Sequence, residues 1–391
     1  MLSKNRTTDL RLNTRARKPI ISIVMSVYNG ATYLRHAIDS ILHQSFSDFE
    51  FIIINDASTD ETESIIGCYY DPRIVYIKNE DNLQLPKSLN KGLAAAQGKY
   101  IARIDADDIS LPHRLQTQFE FMEANPDIGV CGSWVEIMGL DEGEIWKTPT
   151  TANAIQTQLF FHNCLSHPSI MMRHSVLEEH QLQYDEKRLR AQDWQLWIDM
   201  TKHTKVANIP EILLLYRRHR ENLTYKDRSV SAYHYQQVRA QNLARLNIEL
   251  STHELTLYSQ AMHQWLDIDE DSFIELDHIL TLICQRNRKV QLFPEDVFEQ
   301  YLIKNWLSHF RQLQYAPVEK LIAQDWYNSL PNWTQMTLRK PLTTFLQIKT
   351  TVTQMVILEK KQMREKLQLP QHSMQLQKVL TRNFPTLRIK N

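Results

Sequence analysis

Between Ile20 and Asp105 the chain alternates between short apolar runs rich in β-branched residues and longer segments with helical spacing. The apolar runs are IISIVMSV, FEFIIIN, RIVYIKN and KYIARID; between them stand ATYLRHAIDSILHQS, STDETESIIGCYY and LPKSLNKGLAAAQ. A strand with one wet face would alternate polar and apolar residues. These runs are nearly continuous, so both faces must be covered, as in a parallel sheet with helices on either side. The pattern therefore predicts an α/β fold with a doubly wound, mostly parallel sheet. In such sheets ligands bind beyond the carboxyl ends of the strands. Those ends carry SVYNG, INDASTDE and DADD, which places acids from two strands on one shared edge.

At 391 residues the chain is longer than one core usually supports. All eight glycines precede residue 144, so turn-rich structure lies at the front. From about residue 226 apolar residues recur at helical spacing, with breaks expected at Ser251, Pro294, Pro317 and Pro331. We expect a basic N-terminal segment over 1–18, a sheet domain over 19–225 and a helical C-terminal region over 226–391. The 45 basic and 45 acidic side chains cancel, which argues against a dedicated nucleic-acid binder. The ends are nevertheless basic: residues 1–18 carry six Lys or Arg against Asp9, and 351–391 carry eight against Glu359 and Glu365. Such ends suit peripheral contact with an anionic membrane, or simply solubility. No run of about 18 apolar residues and no secretory h-region is present. Cys68, Cys131, Cys164 and Cys284 lack zinc-ligand spacing and read as reduced core residues of a cytosolic protein.

Three carboxylates within four positions, Asp105, Asp107 and Asp108, repel one another unless a positive partner sits among them. Asp105 and Asp107, one residue apart at a strand end, can reach one hard cation such as Mg²⁺ or Mn²⁺, and that cation could bridge a diphosphate. Asp108 or Ser110 equally suits a cap on a helix beginning near Leu111, and Ser58 or Thr59 a cap on the helix after the second strand. Asp56 faces the same crevice, where a carboxylate accepts a hydrogen bond from a base N–H or a ribose hydroxyl. Tyr28, beside the exposed turn at Asn29 and Gly30, is suited to stacking on a base.

These segments together resemble the family 2 inverting glycosyltransferases, which adopt the GT-A fold. The resemblance runs from about Ile20 to Leu223. ISIVMSVYNGATYLRHAIDSILHQSF is similar to the family's first strand and helix, and FIIINDASTDET to its nucleotide-binding second strand. NKGLAAAQGKYIARIDADDISLPHRL resembles the segment bearing its Asp-x-Asp; LSHPSIMMRHSVL, RAQDWQLWIDM and LLLYRRHREN then follow in the family's order. The resemblance implies a nucleotide site at Val27, Tyr28, Asn29, Asp56 and Asp105, a metal site at Asp105, Asp107 and His219, and a catalytic base at Asp193. His167 and Trp194 would face the acceptor, although Trp194 also suits the core, as Trp197 does. His219 could equally be a solvated imidazole. Two positions depart from the pattern: Leu89 replaces an arginine that would neutralise donor phosphate, leaving Lys87, Lys91 or the metal to supply that charge, and Gln192 stands where an acid is common.

The expected function is a metal-dependent inverting transfer of a sugar from a nucleotide-diphosphate donor, foremost a UDP-sugar, to a hydroxyl of a glycan or lipid-linked glycan. The setting implied is bacterial lipopolysaccharide, capsule or other surface-glycan synthesis, in the cytoplasm or at the cytoplasmic face of the inner membrane. The alternative is a non-catalytic nucleotide-sugar-binding or scaffolding subunit with the same GT-A fold and helical C-terminal extension. Leu89 and Gln192 favour it; Asp105, Asp107 and Asp193 argue against it.

Overall fold

The computed structural model describes residues 18–220, 222, 228–263 and 269–310. The chain divides into two units, Met1–Gln314 and Tyr315–Asn391, and the described residues all belong to the first. The basic ends, the breaks expected at Pro317 and Pro331 and the part of the expected helical region beyond residue 310 lie outside them.

The predicted alternation is present: β1 (Ile21–Val27), α1 (Leu34–Leu42), β2 (Phe49–Asn55), α2 (Thr62–Gly67), β3 (Ile74–Lys78), α3 (Leu85–Ala95) and β4 (Tyr100–Arg103). Successive strand side chains point to opposite faces, and both faces are buried. Ile21, Ile23, Met25, Phe49, Phe51 and Ile53 join one core; Val24, Ile52, Ile54, Leu89 and Ile101 join the other. That two-sided burial is why these strands read as unbroken apolar runs.

The chain continues through β5 (Ile109–Ser110), α4 (Arg114–Ala124), β6 (Ile128–Gly139), β7 (Ile145–Trp146), α5 (Ala152–Phe161), β8 (Met171–Arg173), α6 (His174–Glu179), α7 (Gln192–Met200) and β9 (Lys205–Arg218). The strands run in the order β3-β2-β1-β4-β8-β6-β9-β5, with β7 on β6. The β3-β2-β1-β4 portion is parallel; β8 pairs antiparallel with β4 and β6, and β9 runs parallel to β6. The long β6–β9 ladder is absent from the sequence reading, for a physical reason. Its register shifts between Ile128 and Val130 and around Trp134, and two of its glycines make room for side chains of β9 and of the turn before it. A Cβ on Gly132 would stand 2.3 Å from Asn208 Oδ1, and one on Gly129 the same distance from Thr204 Cγ2. Bulges and in-strand glycines erase the period-2 signal.

Among the described residues four helices follow: α8 (Arg228–Arg245), α9 (Thr252–Met262), α10 (Glu270–Val290) and α11 (Glu295–Phe310). Ser251 starts α9 through a reciprocal capping box with Glu254, and Pro294 stands in the α10–α11 turn, so both expected breaks occur. Helix α8 completes the end of α5. Arg239 Nε donates to Phe161 O at 2.9 Å, and Asn242 Nδ2 donates to Leu159 O and Phe160 O, satisfying carbonyls that a helix C-terminus leaves without partners. Phe160 also packs edge-on against Phe293 and Phe298. Cys131, Cys164 and Cys284 are buried free thiols, but Cys68 is exposed, correcting its expected place in the core. No described helix is long and apolar enough to cross a membrane.

Candidate active site

β4 delivers the acid turn. Residues two apart on an extended chain share a face, and Arg103 forks back onto Asp105, Nη1 donating to Oδ2 at 2.7 Å and Nη2 to Oδ1. Burial, with the neighbouring Asp107 and Asp193 charges, pushes the Asp105 carboxyl up to about 6 against the pull of Arg103. Asp107 Oδ2 lies 2.9 Å from His219 Nε2 and accepts from Asn222 Nδ2 at 3.2 Å. Asp108 is 1% exposed. Its Oδ1 accepts from the Arg217 amide at 2.7 Å, while Oδ2 is buried with no partner among the described residues. One oxygen from each of the three acids lies within 4.8 Å of the others.

Asp108 therefore caps no helix. Neither does Ser110, which bonds Ser40 and Arg114; α4 begins at Arg114 after His113, without a side-chain cap. Burial and the charges of Asp107 and Asp105 hold the Asp108 carboxyl well above the usual carboxylate range. A site of three carboxylates, one with an orphaned buried oxygen, fits a hard divalent cation, which takes oxygen ligands. The raised folded pKa also sets a sign. This group's contribution to stability is complete below its unfolded pKa and is lost as pH rises through the folded value. Asp108→Asn is accordingly expected to raise the Tm of the cation-free protein at pH 7.5 by about 2–4 °C, the shift that ~1 kcal/mol produces in a large domain. The gain should vanish at pH 4. Thermal melts at the two pH values check this, and a lower Tm at pH 7.5 would refute it.

Asp56 closes the second strand's end. Its amide donates to Val27 O at 2.8 Å, and its Oδ1 accepts from Asn79 Nδ2 at 2.7 Å and Leu83 N at 2.8 Å, so Oδ2 remains for a ligand. Val27 is buried, whereas Tyr28 is 51% exposed at the turn. Asn29 adopts φ +52°, and its Oδ1 accepts from Thr59 N. Ser58 Oγ accepts from Asn29 N, Asp60 Oδ2 from Ala31 N and Thr62 Oγ1 from Gly30 N. Ser58 and Thr59 thus lace the first loop to the second rather than cap α2; Asp60 does both, its Oδ1 accepting from the Thr62 amide at 3.0 Å, while the N-cap residue Glu61 makes no side-chain cap bond.

Asp193 stands in the first turn of α7, where its Oδ2 accepts from Asn163 Nδ2 at 2.7 Å. Burial raises its carboxyl pKa, opposed by the Trp194 amide, Arg103 and Asn163. It shares its electrostatic surroundings with Asp105, and Arg103 acts on both.

His167 is buried, with Nε2 2.9 Å from Tyr184 Oη, and burial together with Arg103 holds its pKa well below the usual range, so the ring is neutral. Trp194 departs from the acceptor-facing expectation. It is wholly buried, its Nε1 donates to Leu159 O at 2.7 Å, and Arg239 lies over its ring, so neither face is open to a sugar. Trp197 is wholly buried, as expected. Leu89 is core, Gln192 is buried, and Lys91 Nζ donates to Asn79 Oδ1. Sequence reasoning missed Arg103, Asn79, Asn163, Arg217 and Asn222. Only Arg103 carried a local signal, as an arginine inside an apolar strand two residues before Asp105.

Known proteins are similar to this chain in sequence and in fold. The family model for glycosyl transferase family 2 matches residues 22–181. An uncharacterized glycosyltransferase of Methanocaldococcus jannaschii is 40% identical over 228 residues, which cover 56% of this chain and 78% of that protein. The O-antigen biosynthesis glycosyltransferase WbnJ of Escherichia coli is 32% identical over 211 residues, covering 52% of this chain and 81% of its own. Among solved structures, S. aureus TarS 1–349 in complex with UDP-GlcNAc superposes with a TM-score of 0.52 at 17% identity, over 74% of this chain and 89% of that one, and so shares the fold. A sheet that brings its acid-bearing strand ends to one edge, and a 40% identical relative covered over most of its length, have the same explanation: the chain belongs to glycosyltransferase family 2, with the GT-A fold.

Proposed function

We propose that the protein transfers a sugar, with inversion and with the help of Mg²⁺ or Mn²⁺, from a nucleoside-diphosphate donor to a hydroxyl of a glycan or lipid-linked glycan. The observation that carries the reading is the convergence of Asp105, Asp107 and Asp108 around an orphaned buried oxygen, on the sheet edge that also bears Asp56. Asp105 and Asp107, with His219 beside them, would hold the cation, which when bound offsets charge on the departing diphosphate. Asp56 Oδ2 suits a base with a ring N–H. Uracil has one, and we take a UDP-sugar as the first donor; guanine satisfies the same acceptor. Tyr28 would stack on that base, and the Val27–Asn29 turn would border it. His167, neutral, would sit on the acceptor side.

Asp193 is the proposed base. Its carboxylate takes the proton from the acceptor hydroxyl as that oxygen attacks the anomeric carbon opposite the leaving diphosphate. The new C–O bond forms as the C–O bond to phosphate breaks, and the carboxylate ends protonated. One displacement inverts the centre. Asn163 fixes the orientation of Asp193, leaving Oδ1 to receive the proton. The kinship with WbnJ, an O-antigen biosynthesis glycosyltransferase, supports a role in bacterial surface-glycan synthesis.

A thermal-shift panel of UDP- and GDP-sugars, with and without Mn²⁺, tests the reading. At least one donor should raise Tm only with the cation, by mass action on the folded state. A panel in which no nucleotide sugar shifts Tm would overturn it.

A further inference from the structure

We propose that Arg217 is the cation that grips the donor's diphosphate, in place of the arginine whose position Leu89 occupies. This rests on the reading of the site as one for a nucleoside-diphosphate sugar. Leu89 is apolar and 1% exposed within the core, so in this chain that position offers no charge to a phosphate. Lys91 is engaged by Asn79, and the Arg103 fork is closed on Asp105.

Arg217 differs from these. It stands at the end of β9, and three contacts fix it. Its amide donates to Asp108 Oδ1 at 2.7 Å, its Nε donates to Asp107 O at 2.8 Å, and its guanidinium lies over the Tyr33 ring, 4.4 Å from the centroid. One edge and one face of the planar group are thereby pinned, while Nη1 and Nη2 have no partner among the described residues. The charge is not consumed by the acids either. Nε bonds a main-chain carbonyl, and the hydrogen bonds to the Asp105 and Asp107 carboxylates come from Arg103, His219 and Asn222. The next residue shows the contrast expected of strand alternation. Arg218 turns to Asp141 and Glu144, in ion pairs of 2.5 and 3.2 Å.

Tyr33 follows the β1–α1 turn, and Asp107 lies in the acid turn after β4. Arg217 therefore bridges the loop assigned to the nucleoside and the loop assigned to the cation, which is where a diphosphate joining the two must lie. A guanidinium presents parallel N–H groups that match phosphate oxygens in pairs. Holding it in place beforehand removes much of the ordering cost of binding.

Calorimetric titration of UDP and UMP in the presence of Mn²⁺, on wild type, Arg217→Gln and Arg217→Lys, tests the assignment. Arg217→Gln should weaken UDP binding by about tenfold, the scale of a lost hydrogen bond to a charged group, and UMP by less than about twofold. Arg217→Lys should fall between. Mn²⁺ affinity without nucleotide, read by electron paramagnetic resonance, should stay within about twofold in both variants. An unchanged UDP-to-UMP ratio in Arg217→Gln overturns the role of Arg217 alone. An equal loss for both nucleotides, or a lost Mn²⁺ site, overturns it in favour of a purely structural role. If wild type binds neither UDP nor GDP, the donor reading falls and this proposal falls with it.

Discussion

Asparagine in place of Asp193 is expected to lower the rate of transfer about 10³-fold, within the range for loss of a positioned general base, while donor affinity stays within about twofold. The substitution is nearly isosteric. The amide can still accept from Asn163 through its oxygen, so the start of α7 keeps its local bond, and what is lost is the ability to take a proton. Steady-state kinetics with saturating acceptor, alongside calorimetry with the donor, separate the two effects. A kcat within tenfold of wild type would remove Asp193 from the role. The direction of its pKa adds a second readout. Burial raises it, so kcat should fall as acid protonates the carboxylate at a pH above the ordinary aspartate range. That acidic limb should be absent from the residual activity of the variant.

Chelation should be comparably damaging. Treatment with EDTA is expected to reduce transfer by at least about 10²-fold, recoverable with excess Mn²⁺ or Mg²⁺, because the diphosphate would depart without charge compensation. Asp107→Asn should reproduce the loss without recovery at ordinary cation concentrations. Asp107 suits this test better than Asp105. Asp105 is locked to Arg103, so its replacement also strands a buried guanidinium, whereas the partners of Asp107, His219 and Asn222, can both bond an amide oxygen. Cation-dependent thermal stabilisation gives a reading independent of turnover. Full transfer and donor binding after chelation would exclude the cation from the reaction.

The two effects come from different places in the chain. The acid turn was legible because a strand's end and a cluster of like charges are local properties. Asp193 was not, since an acid in the first turn of a helix is common for reasons of helix electrostatics alone; only the order of neighbouring segments drew attention to it. The Asp108 reading shows the limit of local rules. An acid a few residues before a helix suits a cap, yet the β9 backbone, not α4, takes its Oδ1. Trp194 shows it again. Beside an acid that faces a cleft it could equally stack on sugar or fill the core, and the packing of Arg239 from α8 places it in the core.

By itself, the sequence determined the parallel half of the sheet, the edge at which its strand ends meet, and the acids that lie there. Hydrophobic period and strand termini are encoded within a few residues of one another. Tertiary structure alone decided the β6–β9 ladder, the orphaned oxygen of Asp108 and the free end of Arg217. Arg217 meets Asp107 across 110 positions of chain, and a contact of that span is made by the packing of elements, which no local period records.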